Sequence, residues 1–244
     1  MSEHLWHIKR CDLFRRLSEQ QLALLETQCR AKQFSRGMPI YLPADQSNGV
    51  LLLASGRAKI CSLSDGKQII MAFIESGELF GELALVGQSH RDEYAEAIEK
   101  STVVLIPSGV MEQLIEQNPQ VSLGVTKLIG MRRRRIERRL KYLLFRSNRQ
   151  RLVSLLLELA EQYGHRTEEG VELRIKLSHQ DLSSIIGSTR ETVTVLLGEM
   201  QNDGLLKLGR RRIVIQDMDR LVANGRAAAT PDDGEQDHNL YKVT

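Results

Sequence analysis

The chain has 244 residues, is 41% hydrophobic and 27% charged, and carries a formal net charge of +3. That length allows one large domain or two small ones. The composition excludes a disordered chain, and the absence of any apolar run of about 18 residues excludes a membrane-spanning helix. The opening residues, "MSEHLWHIKRCDLF", place charges where a secretion signal needs an apolar centre, so a cytoplasmic protein is expected. Cys11, Cys29 and Cys61 are too few and too scattered for a disulfide framework or a CxxC metal site. His4, His7 and Cys11 share helical spacing, which reads as packing rather than a metal site.

In chain order, residues 8 to 30 read as helix, with Ser18 and Gln21 spaced as a capping box and Leu22, Leu25 and Cys29 as a narrow apolar stripe. From Phe34 to Pro107 short apolar runs recur, "VLLLASG", "AKICSLSDG", "QIIMAFIESG" and "STVVLIP", with a glycine about every ten residues. That pattern predicts a small antiparallel roll, with "SDGK" at 64–67 as a hairpin turn. "SGVMEQLIEQNP" predicts a short helix ending near Pro119, and Val121 to Phe145 one long helix. Along it Ile129, Ile136 and Leu143 repeat every seven residues, with Leu140 adjacent, as in the seam of a two-helix coiled coil. The competing reading is a helix packed on its own domain; the thin apolar stripe beside Arg132 to Arg135 favours dimerisation.

After Asn148 come a helix, "RQRLVSLLLELAEQYG", a turn at "HRTEEG", and a strand, "VELRIKL". Two short helices follow, Ser178 to Ile186 and Thr189 to about Asn202, separated by Gly187. "GLLKLGRRRIVIQD" closes the segment as two apolar runs around a basic turn, and the residues beyond 217 read as a flexible tail. Charge is unevenly placed: ten residues from Met131 to Arg151 are basic and only Glu137 is acidic, and Lys207, Arg210, Arg211 and Arg212 form a second cluster. Such asymmetry suits a polyanionic partner, although a solvated helix face explains the arginine run alone equally well.

Two short helices around a glycine turn fit a helix-turn-helix. Leu182 and Ile186 are expected to face inward from the first helix, Val193 and Leu196 from the second, leaving Thr189, Arg190, Glu191 and Thr194 outside. The start of such a second helix enters the major groove. There arginine can hold guanine through two hydrogen bonds and glutamate can accept from cytosine. Ser178 can cap the first helix, whose amides can also hold a phosphate. The basic hairpin, with Arg210 and Arg211 at its tip, reads as a wing along the DNA backbone. The competing reading is a plain helical hairpin capped by Ser188 and Glu191, which leaves the basic wing and polar outer face unexplained.

The layout over residues 10 to 217 resembles the bacterial transcription regulators of the cyclic AMP receptor protein and fumarate-nitrate regulator (Crp/Fnr) family. The resemblance rests on "QDLSSIIGSTRETVTVLL" and on "SGELFGELAL", which is similar to the phosphate cassette of a cyclic-nucleotide-binding roll. It implies an α+β protein in four parts. These are a cyclic-nucleotide-binding-like antiparallel β-roll (1–120), a dimerisation helix (121–146), a winged helix-turn-helix (147–217) and a tail (218–244). The family's base-reading positions fall on Arg190, Glu191 and Val195. A valine cannot hold guanine by hydrogen bonds but can touch a thymine methyl, so the operator should differ there from that of relatives with arginine.

The resemblance places effector contacts at Gly81, Glu82, Leu83 and Arg91. Asp92 and Glu93 follow Arg91 where relatives carry a hydroxyl, and the adenine-contacting hydroxyls fall on Ile136 and Glu137. Binding of cyclic AMP in the usual way is therefore not expected, and Glu82 and Arg91 can equally be structural residues. Mutual repulsion of Arg132 to Arg135 across a dimer seam would weaken the coiled coil unless an anion or acidic partner sits there, which suggests a small anionic or nucleotide effector near Arg132 and Arg133. The cysteines do not match an iron–sulfur sensor, and His90 reads as an exposed loop residue rather than a haem ligand.

The sequence thus predicts a dimeric regulator of double-stranded DNA that works with RNA polymerase, with no catalysis, no metal and no membrane. The long helix is expected to set the distance between two recognition helices, with any signal in the roll shifting it. The alternative is a nucleotide-responsive signalling module that binds a protein partner rather than DNA.

Overall fold

The structure is a computed structural model and describes residues 11–14, 17–64, 67–87 and 89–227. Its chain divides into two compact units, residues 1–137 and 138–244. No helix among the described residues is long and apolar enough to cross a membrane.

In the first unit a single 3-10 turn, Asp12–Phe14, precedes helix α1, Glu19–Gln28. The expected helix over 8–30 is thus shorter: the Ser18–Gln21 capping box starts a new helix at Glu19 instead of continuing an old one. Residues 8–10, with His4 and His7, lie outside the described residues. Eight strands then build the roll, β1 (Arg30–Phe34), β2 (Pro39–Tyr41), β3 (Gly49–Ser55), β4 (Arg57–Ser64), β5 (Lys67–Glu75), β6 (Leu79–Phe80), β7 (Tyr94–Ala97) and β8 (Ser101–Pro107). They form two antiparallel sheets in the orders β1-β8-β3-β6 and β2-β7-β4-β5. Strands β4 and β5 pair from Arg57↔Glu75 to Ser64↔Lys67 as a hairpin; its Asp65-Gly66 tip lies outside the described residues.

The period of two along β3 explains how the roll is packed. Val50 and Leu52 join a core with Ile106 from β8 and with Phe14, Leu25, Met111, Leu114 and Val121 from the helical segments. Leu51 and Leu53 join a second core with Phe34, Ile60, Phe80 and Val103 between the sheets. A strand buried on both faces reads as a continuous apolar run, which is how "VLLLA" reads. Helix α2, Ser108–Gln117, and helix α3, Pro119–Phe145, follow as predicted. Val121 and Val125 are buried at the start of α3.

In the second unit helix α4, Asn148–Tyr163, is opened by a capping box of Ser147 and Gln150. Next come β9 (Gly164–Thr167), β10 (Gly170–Leu173), α5 (His179–Ile186), α6 (Arg190–Asn202), β11 (Leu206–Gly209), β12 (Arg212–Ile215) and α7 (Met218–Ala227). The strands form one antiparallel sheet, β11-β12-β10-β9. Two expectations are corrected. "HRTEEG" is not simply a turn, because His165 and Arg166 pair with Glu172 and Val171 in a hairpin. Nor is 218–227 a structureless tail. The Asp217 carboxylate accepts from the Arg220 amide at 2.9 Å, and Leu221 is fully buried, so a capped amphipathic helix forms. Residues 228–244 lie outside the described residues.

Candidate nucleic-acid interface

Helices α5 and α6 meet at Gly187, whose φ of 63° is the left-handed conformation that glycine adopts without strain. Ser178 caps α5: its hydroxyl accepts from the Asp181 amide at 3.1 Å and donates to the Asp181 carboxylate at 2.6 Å. The capping role is as expected, but that hydroxyl proton is already used. Thr189 caps α6, accepting from the Thr192 amide at 3.2 Å, so the cap is neither Ser188 nor a box with Glu191.

Leu182 and Ile186 are buried on α5. On α6 the buried residues are Val193, Leu197 and Met200. Leu196, expected inside, is half-buried; at 3.6 residues per turn the residue one turn after Val193 that points the same way is Leu197. The opposite face carries exposed Arg190, Glu191, Thr194 and Val195, with Val195 60% exposed. Neither Arg190 nor Glu191 has a side-chain hydrogen bond or ion pair among the described residues. Two side chains made for paired hydrogen bonding are thus left unused and exposed.

The β11–β12 turn exposes Arg210 and Arg211, the latter with a positive φ of 56°. The other two basic residues of that hairpin are held internally: Lys207 to Glu169 at 2.6 Å, and Arg212 to Glu172 at 2.9 Å and Glu169 at 3.3 Å. The hydrogen bond from Lys207 lowers the Glu169 pKa, and that from Arg212 lowers the Glu172 pKa. The pairing selects Arg210 and Arg211 as the free cations of the wing.

One residue that sequence reasoning missed supports α6 from behind. Arg149 donates to Glu199 at 2.9 Å, to Asp203 at 2.9 Å and to Asn224 at 2.9 Å. It ties the start of α4 to the end of α6 and to α7. Nothing in a basic run marks the one arginine that will find two carboxylates some fifty residues later.

The expected effector residues behave differently. Gly81 has a left-handed φ of 68°, and a Cβ there would lie 2.6 Å from the Arg91 guanidinium. Arg91 is only 6% exposed and donates to the Gly81 carbonyl at 2.7 Å and the Gly49 carbonyl at 2.6 Å, with its guanidinium over the Tyr41 ring. In the chain it braces the cassette, the structural one of the two readings left open for it.

Beside it is a cavity of about 300 Å³ lined by Ile60, Met71, Leu83, Glu93, Ile129 and Ile136, with Glu82, Arg132 and Arg133. Gly81 and Arg91 are not in that lining. The Arg132 guanidinium binds the Glu82 carboxylate and the Leu79 carbonyl. Arg133 pairs with Glu137 at 2.8 Å, and Tyr41 donates to Glu93 at 3.0 Å. Burial, with nearby Glu82 adding to it, raises the Glu93 pKa despite the Tyr41 hydrogen bond. Within the chain, Arg132 and Arg133 thus each have a carboxylate partner. His90 is exposed and shares a hydrogen bond with Ser89 at 2.9 Å. Ile129, Ile136, Leu140 and Leu143 are each exposed along α3.

Residues 31–118 match the cyclic nucleotide-binding domain, and residues 150–223 match the Crp-like helix-turn-helix domain. The chain is 31% identical over 206 residues to the global nitrogen regulator of Synechococcus elongatus, covering 83% of this chain and 90% of that one. It is 25% identical to the CRP-like cAMP-activated global transcriptional regulator of Mycobacterium tuberculosis, covering 90% and 98%. The fold matches that of the c-di-GMP responsive global regulator CLP of Xanthomonas campestris, with a TM-score of 0.74 at 19% identity over 82% of this chain and all of that one. With a cyclic-nucleotide-binding roll, a winged helix-turn-helix and relatives of this identity, the chain belongs to the Crp/Fnr family of DNA-binding transcription regulators.

Proposed function

We propose that the protein acts as a homodimer on a two-fold operator, with RNA polymerase as the partner that responds to its occupancy. The observation that carries the DNA face of this reading is the exposed, unpaired Arg190 and Glu191 at the start of α6. In this reading Thr189 and Thr194 flank the base contacts, Val195 packs against a thymine methyl, Ser178 sits at the phosphate side, and Arg210 and Arg211 follow the backbone. The heptad residues Ile129, Ile136, Leu140 and Leu143, exposed in a single chain, support pairing of α3 with a second copy.

The cavity in the roll is the effector site of this reading. Its apolar wall and internally paired charges favour a largely apolar, weakly charged ligand over a cyclic nucleotide, because a phosphate would have to displace Glu82 from Arg132. Selection of bound sequences from a random duplex pool tests the proposal. A symmetric site bound by a dimer, with salt-sensitive affinity, is the expected result; a monomeric protein with no sequence preference would end it.

A further inference from the structure

We propose that Gly198 is a specificity-determining residue of the DNA interface. With Val195 it forms a saddle on α6, bare of hydrogen-bonding groups, that seats the 5-methyl group of one thymine in each operator half-site. The proposal rests on the reading above in which Val195 meets a thymine methyl. Gly198 lies inside α6, where glycine is the least favourable residue after proline because its backbone loses the most freedom on ordering. Among the described residues nothing calls for it. Its φ is not in the left-handed region, and a Cβ there would meet nothing within 4 Å. The other described glycines of the second unit each have such a reason: a positive φ at Gly170, Gly187 and Gly204, and an atom within 4 Å of the Cβ position at Gly164, Gly209 and Gly225. What a side chain at 198 would obstruct is therefore outside the chain.

Its position points to DNA. At 3.6 residues per turn, Glu191, Val195 and Gly198 form the row opposite the buried Val193, Leu197 and Met200. In a helix-turn-helix that row of the second helix faces the major groove. At Val195 and Gly198 the row offers no donor or acceptor. Val195 is 60% exposed and aliphatic, and backbone groups inside a helix bond to one another. The polar neighbours are turned to other tasks: Glu199 accepts from Arg149 at 2.9 Å, and the Gln201 side chain accepts from the Leu208 amide at 3.1 Å. A surface without hydrogen-bonding groups must meet an apolar group, because a polar base edge pressed against it would lose its water without replacement. The apolar group that base pairs present in the major groove is the thymine methyl. Val195 takes one side of that methyl out of water. With only hydrogen at Gly198, the helix comes close enough to cover a second side. A Cβ at 198 would stand where the methyl goes.

The test pairs a change in the full-length protein with a change in the operator. Gly198→Ala fills the saddle without crowding the chain and adds helix propensity, so it should melt above the wild type. On a selected operator, fluorescence anisotropy should nevertheless show binding weakened about fourfold per half-site, the worth of one methyl group taken out of water. Deoxyuridine in place of the contacted thymine should cost the wild type about the same, and cost Gly198→Ala almost nothing more, because the methyl is no longer seated. Gly198→Ala binding that equals wild type, or that keeps the full deoxyuridine penalty, would overturn the role of Gly198 and leave Val195 as the methyl contact. Melting below the wild type would also overturn it, by making Gly198 a residue that the fold itself needs. A wild type indifferent to deoxyuridine at every thymine of the half-site would overturn the thymine reading of Val195 as well. A wild type that selects no duplex would instead overturn the DNA reading on which both residues depend.

Discussion

The recognition helix and the roll cavity differ in what their charged side chains are already doing. On α6, Arg190 and Glu191 are exposed and uncommitted. In the roll, Arg91 is spent on two carbonyls, Arg132 on Glu82 and Leu79, and Glu93 on Tyr41. Both regions keep the shape of their family, but only the first keeps free hydrogen-bonding groups where a ligand would come. Shape follows from apolar periodicity and turn residues; binding needs polar groups whose desolvation is not already compensated inside the protein.

The largest expected effect comes from breaking the committed side of this contrast. Glu82→Ala leaves a largely buried Arg132 with only a carbonyl, and should destabilise the roll by about 3 kcal/mol in urea unfolding. The double variant Glu82→Gln, Arg132→Met should lose much less, because no charge is left unpaired. Equal losses would show that the pair is not what organises the cavity.

On the uncommitted side, Arg190→Ala should cost operator binding about 1–3 kcal/mol per half-site in an anisotropy titration, with no change in melting temperature. Val195→Arg should move preference toward guanine at one symmetric position in a binding-site selection. Unchanged selectivity would mean that residue 195 does not face the bases. Arg149→Met removes two partly exposed ion pairs and should lower stability by up to about 1 kcal/mol. Its larger effect should be on DNA affinity, through a less firmly held α6.

The smallest effect concerns Glu93. Burial raises its folded-state pKa, so the folded protein holds that proton more tightly than the unfolded chain does. Between the two values the group's contribution to stability falls as pH rises, and above both the ionised carboxylate is a constant cost. Glu93→Gln keeps an acceptor for Tyr41 without that cost. It should melt slightly above wild type near pH 7, and the gap should narrow as pH drops toward the ordinary carboxylate range near 4.

The DNA half was the more legible in sequence, for a physical reason. Gly187, the caps at Ser178 and Thr189, and the apolar residues of α5 and α6 act over a few positions, where sequence spacing is nearly geometry. Even there Leu197 replaced Leu196, because two adjacent leucines leave the phase of a helix undecided until its partner helix is in place. Helix α7 was missed because its stripe, Met218, Leu221, Val222 and Gly225, is short and its neighbours are polar. Long-range pairs were illegible: Arg91 with Gly49, Arg132 with Glu82, and Arg149 with Glu199 join residues 42 to 50 positions apart. The arginines were visible, but whether each was free or committed was not.

The most direct measurement is a titration of a selected two-fold operator with wild-type and Arg190→Ala protein, at low and high salt and with and without cyclic AMP. The account predicts sequence-selective, salt-sensitive binding that Arg190→Ala weakens about tenfold or more and that cyclic AMP leaves unchanged. Equal binding by the two proteins, or an affinity raised by cyclic AMP, would contradict it.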